Sequence, residues 1–221
     1  MKIIITGATG LIGAETVRAA IADQEITSIV LLVRSESTLK HPKLTIVQHN
    51  DFLSYTGLEK YFADADAVAW CLGISQTQVN AAQYHVITYD FVKCCAEFCL
   101  QVNPGIRFLF VSGDGADRTE KSSTLFKRIK GKAENYLLQC GLPNVIIARP
   151  DAVRPKHKNP KAPFAYKLVY PLFPLVAFFT PNKIIWSDVL GRALVWLLKK
   201  GVGGSTHENV ELKKLGQTQP A

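Results

Sequence analysis

Three glycines spaced three residues apart, Gly7, Gly10 and Gly13, follow directly on the apolar run Ile3 to Ile5. Where a helix starts in such a turn, its free backbone N–H groups and the positive end of its dipole face an anion. Gly7 allows a sharp turn, Gly10 lacks the Cβ that would block a pyrophosphate, and Gly13 lets the helix pack closely on the sheet. The turn therefore predicts a dinucleotide site. Its predicted contacts are Gly7, Thr9, Gly10, Leu11, Ile12 and Gly13.

The end of the second predicted strand indicates which dinucleotide binds. Arg34 stands about twenty residues after the glycine turn, where an acidic residue would bind the ribose 2′-hydroxyl of NAD. An arginine there suits the 2′-phosphate of NADP instead, so NADP(H) is predicted in preference to NAD(H). Two alternatives remain open. Glu36 would put a carboxylate at the ribose if the alignment shifted by two residues, and Arg34 would otherwise be a solvated strand end.

Two further strand ends carry predicted cofactor contacts. Asp51 follows the third strand, where its carboxylate can accept from the adenine amino group while the N–H of Phe52 meets the ring nitrogen. A turn or helix-cap role is the alternative for Asp51. Leu72 and Gly73 end the fourth strand, where a glycine allows close approach to a ribose or diphosphate. An ordinary turn is the alternative there.

Alternating strands and helices must position these residues. Short apolar runs separated by helical patterns predict an α/β protein with a doubly wound parallel Rossmann sheet, right-handed crossovers and a small C-terminal helical substrate-covering region. Ligands of such sheets bind beyond the carboxyl ends of the strands. After the first strand, the predicted strands are 28–34, 44–48, 66–72, 106–111 and 145–148, and the predicted helices are 11–22, 79–101, 122–140 and 187–200.

Composition narrows the function classes. The 221 residues predict one domain, residues 1–221, with a sizeable core. The first strand begins at Lys2, so no leader peptide is predicted, and the protein is predicted to be cytoplasmic. The net charge of +8 favours an anionic ligand or surface, but the basic residues are dispersed and nucleic-acid binding is not predicted. The five cysteines form no C-x-x-C pair, and no metal site is predicted.

Several segments stand together in the order and spacing of a known family. Besides the glycine turn, they are Cys71-Leu72-Gly73, Val111 to Asp117, Lys130 to Glu134, Arg149-Pro150 and Trp186 to Val189. On these segments the chain resembles the atypical short-chain dehydrogenases, and most of all their Tat-interacting-protein-like oxidoreductase branch. The resemblance spans nearly the whole chain. It implies a Rossmann fold, bound NADP(H) and a small C-terminal substrate-covering region.

In that family a serine, a tyrosine and a lysine carry the hydride chemistry. The tyrosine phenol is the acid or base, and the lysine four residues later lowers the pKa of the phenol and holds the nicotinamide ribose. The resemblance implies Lys130 as this lysine and Ser112 as the remaining serine, and these two are the predicted catalytic residues. Phe126 stands at the tyrosine position and Gly113 at the place of the active hydroxyl. The usual mechanism is therefore altered.

Two other side chains are alternative acids. His85 lies on the helix after the fourth strand, and an imidazole has a pKa suited to acid or base work. The alternative for His85 is a surface or packing residue. Asp114 follows the fifth strand, between two glycines, where a turn aspartate is the favoured interpretation.

The region 150–186 is predicted to be a lid or substrate region. Its aromatic stretch, residues 164–179, is interrupted by a lysine and two prolines, and is too short and too broken to span a bilayer. Three interpretations stand for the aromatic-basic segment 154–180. They are a lid over a large apolar substrate, a homodimer or protein-partner surface, and peripheral contact with an anionic membrane. The lid is favoured.

The sequence thus predicts an NADP(H)-binding oxidoreductase whose proton donor is unusual or whose substrate, such as a quinone, needs none. The alternative is a protein that keeps the cofactor pocket without catalysis and uses bound NADP(H) to regulate or support a partner surface. Lys130 and the intact glycine turn favour the first prediction. Phe126 and Gly113 favour the second.

Overall fold

A parallel β-sheet forms the centre of the molecule. The computed structural model describes residues 1–157 and 181–220. Within them seven strands pair in the order β3-β2-β1-β4-β5-β6-β9, and every pair is parallel. This confirms the predicted doubly wound α/β fold. The strands are β1 (Lys2–Thr6), β2 (Ser28–Val33), β3 (Leu44–Gln48), β4 (Ala67–Trp70), β5 (Arg107–Val111), β6 (Asn144–Arg149) and β9 (Thr206–Glu208).

The helices cover both faces of this sheet. They are α1 (Leu11–Ala22), α2 (Glu59–Phe62), α3 (Ala81–His85), α4 (Phe91–Val102), α5 (Leu125–Gln139), α6 (Ser187–Lys200) and α7 (Asn209–Gln217), with a π-helical turn at Val86–Asp90 and a 3-10 turn at Pro181–Lys183. One core cluster packs between the sheet and helices α1 and α6, and a second packs between the sheet and helices α4 and α5. Strands buried on both faces require continuous apolar runs, and Ile3, Ile4 and Ile5 are fully buried.

The helix predicted at 79–101 is divided into α3, the π-helical turn and α4. It begins later than predicted because Asn80 caps it. The Asn80 side chain accepts from the backbone N–H of Gln83, and the Gln83 side chain accepts from the backbone N–H of Asn80, a capping box. The predicted helix 122–140 likewise begins only at Leu125.

The described part of the region 150–186 contains two short strands. Strand β7 (Ala152–Arg154) pairs in parallel with β8 (Ile184–Trp186). The aromatic stretch 164–179, and all of residues 158–180, lie outside the described residues. None of the described helices is both long and apolar enough to cross a membrane.

Candidate cofactor and reaction site

Two glycines of the turn are required by close approach of the backbone. Gly7 has a φ of +67°, and a Cβ on it would lie 2.6 Å from the carbonyl oxygen of Cys71, which follows β4. A Cβ on Gly13 would lie 2.1 Å from the carbonyl oxygen of Gly7. Contacts this short are excluded for real Cβ atoms, so these positions admit only glycine without a shift of the backbone. Helix α1 consequently starts directly against the ends of β1 and β4.

The N-terminus of α1 is open at this edge of the sheet. Gly10 precedes the helix in an extended conformation, and no side chain caps the first turn. The backbone N–H of Gly10 donates to the Gly7 carbonyl at 2.9 Å, which closes the turn. Thr9 and Gly10 are exposed. The uncapped backbone N–H groups of the first helical turn form the kind of site that binds phosphate. The predicted contacts Leu11 and Ile12 lie in this first turn and are half-buried.

The strand order reverses at β1, which has β2 on one side and β4 on the other. Ligands of open α/β sheets bind at this switch point. The backbone N–H of Leu72 donates to Thr6 Oγ1 at 3.3 Å, which brings the loop after β4 beside the glycine turn. Gly73 is exposed, and no described heavy atom lies within 4 Å of where its Cβ would stand. Leu72 and Gly73, the two predicted residues of this loop, therefore border an open space next to the N-terminus of α1.

The residues predicted at the adenosine end lie along the same edge, after β2 and β3. Arg34 and Glu36 are both exposed, so the choice between them stays open. Asp51 Oδ1 accepts from the backbone N–H of Leu53 at 3.0 Å, which is the turn role left open as its alternative. Phe52 is buried, and its ring packs edge-on against Trp70 with the centroids 6.1 Å apart. The Phe52 ring therefore belongs to the core, and a contact of Phe52 with the adenine would have to come from its backbone.

Lys130 is buried on α5, near the ends of β4 and β5. Its Nζ donates to the carbonyl oxygen of Val111 at 2.9 Å and lies 4.6 Å from the centroid of the Phe110 ring. Burial lowers the pKa of Lys130 to about 8, although the negative charge of Glu134 acts to raise it. At pH 7 the Lys130 ammonium is thus still mostly protonated, but it loses its proton far more readily than an exposed lysine does.

Phe126 and Gly113, the two departures from the family pattern, contact each other. A Cβ on Gly113 would lie 2.6 Å from Phe126 Cζ, so the phenyl ring occupies the space that a side chain at position 113 would need. The backbone N–H of Phe126 donates to Gln76 Oε1 at 2.8 Å, which ties the start of α5 to the loop after β4. The ring and the glycine form one packed unit that offers no acidic proton.

Ser112 is part of a buried ion-pair network that was not predicted from the sequence. Its hydroxyl donates to Glu134 Oε1 at 2.5 Å. The fully buried Glu134 carboxylate also accepts from Arg118 Nε at 2.7 Å and from Arg149 Nε at 2.9 Å. Arg149 further pairs with Glu208 at 3.1 Å. This network engages the Ser112 hydroxyl, whose catalytic role stays a prediction. The segments Lys130 to Glu134 and Arg149-Pro150 were visible in the sequence, but their pairing was not.

The two alternative acids are also engaged. His85 Nδ1 lies 3.1 Å from Asp90 Oδ2, and His85 Nε2 lies 3.2 Å from Lys132 Nζ. The carboxylate of Asp114 pairs with Lys183 at 3.2 Å, and Lys183 also pairs with Asp151 at 3.1 Å. The Lys183 pairs fasten the turn before β8 to the ends of β5 and β6. Neither His85 nor Asp114 is brought against Lys130.

Comparison with known proteins identifies the family. A family described as NAD(P)H-binding matches residues 7–163, well over half of the chain. The chain belongs to this NAD(P)H-binding family. Membership confirms the resemblance to atypical short-chain dehydrogenases and the binding of an NAD(P)-type dinucleotide. Three features fit such a cofactor: the glycine turn, the uncapped start of α1 and the open space at Gly73. A Cβ at Gly73 would point into that space.

Solved structures agree with the NAD(P)H-binding fold. The Bordetella bronchiseptica enzyme WbmF in complex with NAD+ superimposes with a TM-score of 0.70 at 13% identity, over 99% of this chain and 79% of that one. DesIV, a dTDP-glucose 4,6-dehydratase from Streptomyces venezuelae with NAD and TYD bound, gives 0.71 at 16% identity, over 98% and 79%. A UDP-glucuronic acid 4-epimerase from Bacillus cereus in complex with NAD gives 0.66 at 17% identity, over 93% and 76%. At these identities the likeness concerns the fold alone.

Two curated relatives overturn the predicted localisation. Both are named "Protein FMP52, mitochondrial". The protein from Candida albicans is 26% identical over 95% of this chain and 93% of its own length, and the one from Lodderomyces elongisporus is 25% identical over 95% and 91%. The prediction of a cytoplasmic protein is therefore wrong. It relied on the first strand beginning at Lys2, and the position of a strand does not report where a protein works.

Proposed function

We propose that the protein is an NADP(H)-dependent oxidoreductase whose usual tyrosine acid is replaced by a phenylalanine. The observation that carries this proposal is the position of Lys130. Its ammonium is buried at the carboxyl edge of the sheet and hydrogen-bonded to Val111, two strands from the glycine turn. Burying a charged lysine costs folding stability, and a lysine with a strongly lowered pKa at the ligand-binding edge of the sheet is a candidate functional group.

The preference for NADP(H) rests on Arg34. Its guanidinium is exposed at the end of β2 and is free to make a bidentate contact with a 2′-phosphate. The test is a titration of the protein with NADPH and NADH, followed by intrinsic fluorescence. Arg34→Ala should weaken NADPH binding by 10-fold or more, from a charge-assisted contact of about 1.5–3 kcal/mol, and should leave NADH binding unchanged. Lys60→Ala is the matched control, because it removes an exposed cation from α2, before the amino end of β4.

A specific observation favours a second candidate function. The Phe126 ring fills the place of an active hydroxyl at position 113, so the chain is also consistent with an NADP(H)-binding protein that regulates or supports a partner without catalysis. Quinone and carbonyl acceptors distinguish the two functions. NADPH oxidation that depends on an acceptor supports the oxidoreductase. Tight NADPH binding without oxidation by any acceptor supports the binding protein.

We assign the region 150–186 to covering the substrate, and the support for this comes from its described ends. The two Lys183 ion pairs with Asp114 and Asp151 hold the end at Pro181–Lys183 beside the ends of β5 and β6, where a substrate would meet the cofactor. An apolar small molecule is the substrate class that the aromatic stretch 164–179 suits. The test is the apparent KM for quinones of increasing alkyl length, which should fall as the chain lengthens. An unchanged KM would contradict this assignment.

A further inference from the structure

Carbonyl reduction at this site needs a source of protons. Addition of hydride to a carbonyl carbon leaves negative charge on oxygen, and an alkoxide is too basic to form at neutral pH without an acid. Phe126 offers no proton, and it packs on Gly113, where no hydroxyl stands either. The Ser112 hydroxyl already donates to Glu134. None of the three positions 112, 113 and 126 therefore supplies an acid in place of the phenol.

Lys130 lies at the same edge with donor capacity to spare. An ammonium has three N–H donors, and the hydrogen bond to Val111 uses one of them. Glu134, one helical turn away, does not hold the remaining two, because Arg118, Arg149 and Ser112 already bind both of its oxygens. Lys130 is therefore a buried cation whose counter-charge is engaged by other groups.

We propose that the Lys130 ammonium is itself the proton donor in carbonyl reduction, in place of the phenol missing at Phe126. This assignment rests on the proposed oxidoreductase function. Bound NADPH supplies the hydride and is oxidised to NADP+. The carbonyl carbon gains the hydride, the π electrons of the C=O bond move to oxygen, and that oxygen takes a proton from Lys130 Nζ. The neutral amine that remains takes a proton from water.

The surroundings of Lys130 suit this role. An acid works best when its pKa lies near the working pH, and burial brings the pKa of Lys130 down to about 8. The amine is then reprotonated readily at neutral pH.

Two acceptors separate proton donation from cofactor binding. Reduction of 4-nitrobenzaldehyde produces an alkoxide and needs an acid, whereas reduction of duroquinone produces a hydroquinone anion that water can protonate. Lys130→Met should lower kcat for 4-nitrobenzaldehyde by about 10²–10⁴-fold more than it lowers kcat for duroquinone, a difference that equals the usual contribution of a general acid. Lys130→Arg keeps the charge but not an acid of suitable pKa, and should resemble Lys130→Met with the aldehyde. Fluorescence titration gives the NADPH Kd of each variant.

A second readout does not involve turnover. Protein carrying [ε-¹³C]lysine is titrated by NMR without cofactor, and the Lys130 signal is assigned by its absence from Lys130→Arg. A midpoint near 8 is expected. A midpoint at or above 10 would overturn the assignment, because Lys130 would then share the properties of an exposed lysine.

The outcomes separate the two proposals. Lys130 is not the acid if wild-type protein binds NADPH and reduces duroquinone but not the aldehyde, or if Lys130→Met loses both activities together with NADPH affinity. The oxidoreductase function stands in either case. Wild-type protein that reduces neither acceptor would end the oxidoreductase proposal and this assignment with it.

Discussion

Lys130 carries its charge in a buried position, and this lowers the stability of the fold at neutral pH. Its pKa falls from 10.5 to about 8 on folding. Between these values the unfolded chain binds more protons, so the stability of the native protein rises with pH through this window. Lys130→Met should therefore stabilise the protein by about 1–3 kcal/mol below pH 8, and the gain should vanish as the pH approaches 10.5. Urea unfolding at pH 7, 9 and 10 measures it.

The control for this prediction is Lys132→Met, on the same helix. Lys132 is only half-buried and contacts His85 and Tyr89. Its replacement should give no gain that disappears at high pH. A pH-independent effect of Lys130→Met would mean that packing, and not the burial of charge, decides the stability at this position.

Gly73 and Gly105 provide a matched pair for the cofactor loop. At both, no described heavy atom lies within 4 Å of the position of a Cβ, so a side chain can begin there without a clash at its Cβ. Gly73 borders the glycine turn, whereas Gly105 precedes β5 at the opposite end of the sheet. Gly73→Val should weaken NADPH binding at least 10-fold by filling the cofactor space, and Gly105→Val should not. Isothermal titration calorimetry measures both, and equal affinities would place the dinucleotide elsewhere.

At the residue scale, the sequence predicted positions whose neighbours in the chain define their role. Gly7 and Gly13 belong to one turn, and their spacing alone implied the close approach of α1. Phe126 and Gly113 were recognised as two separate departures, but their mutual contact joins residues 13 positions apart across a loop. Glu134 gave no signal, because its partners come from β6, the loop after β5 and the segment before α5.

Helix α5 is fixed to the sheet by the Glu134 network. The buried carboxylate receives hydrogen bonds from two arginines and a serine, and removal of one partner from a buried pair is strongly destabilising. Glu134→Gln should therefore cost about 3–5 kcal/mol in the free energy of unfolding, because the amide turns a donor toward an arginine. Glu208→Gln is the control. That carboxylate is 52% exposed and should cost less than about 1 kcal/mol.

Guanidinium chloride unfolding checks the Glu134 prediction, with circular dichroism as the probe. The slope of the unfolding free energy against denaturant concentration should be the same in both variants, so that the midpoints report stability alone. Comparable losses of unfolding free energy in Glu134→Gln and Glu208→Gln would show that the exposed Glu208 pair contributes as much stability as the buried Glu134 carboxylate.

Element boundaries were predictable where a local signal exists. Helices α1 and α6 match the predicted ranges 11–22 and 187–200. The capping box of Asn80 and Gln83 was readable in the sequence and would have corrected the start predicted at 79. The π-helical turn at Val86–Asp90 was not predicted from the sequence.

The topology of the whole molecule followed from alternation, since parallel strands joined by helices have few allowed arrangements. Strand β9 and helix α7 escaped prediction for a physical reason. Strand β9 has only three residues, Thr206–Glu208, and lies at the sheet edge, where burial does not enforce an apolar run. Its pairing with β6 is visible only in three dimensions.

Because the proposed dinucleotide site would join the ends of β1, β2 and β4 to α1, binding there should stabilise the molecule as a whole. A ligand at 100 times its Kd adds about 2.7 kcal/mol to the stability of the native state. For a chain of 221 residues this corresponds to a rise in Tm of about 5–10 °C. Thermal unfolding with NADPH should show this rise in wild-type protein and in Gly105→Val, and at most about half of it in Gly73→Val at the same concentration. An equal rise in all three would mean that NADPH stabilises the fold from another surface, and the site at the switch point would have to be abandoned.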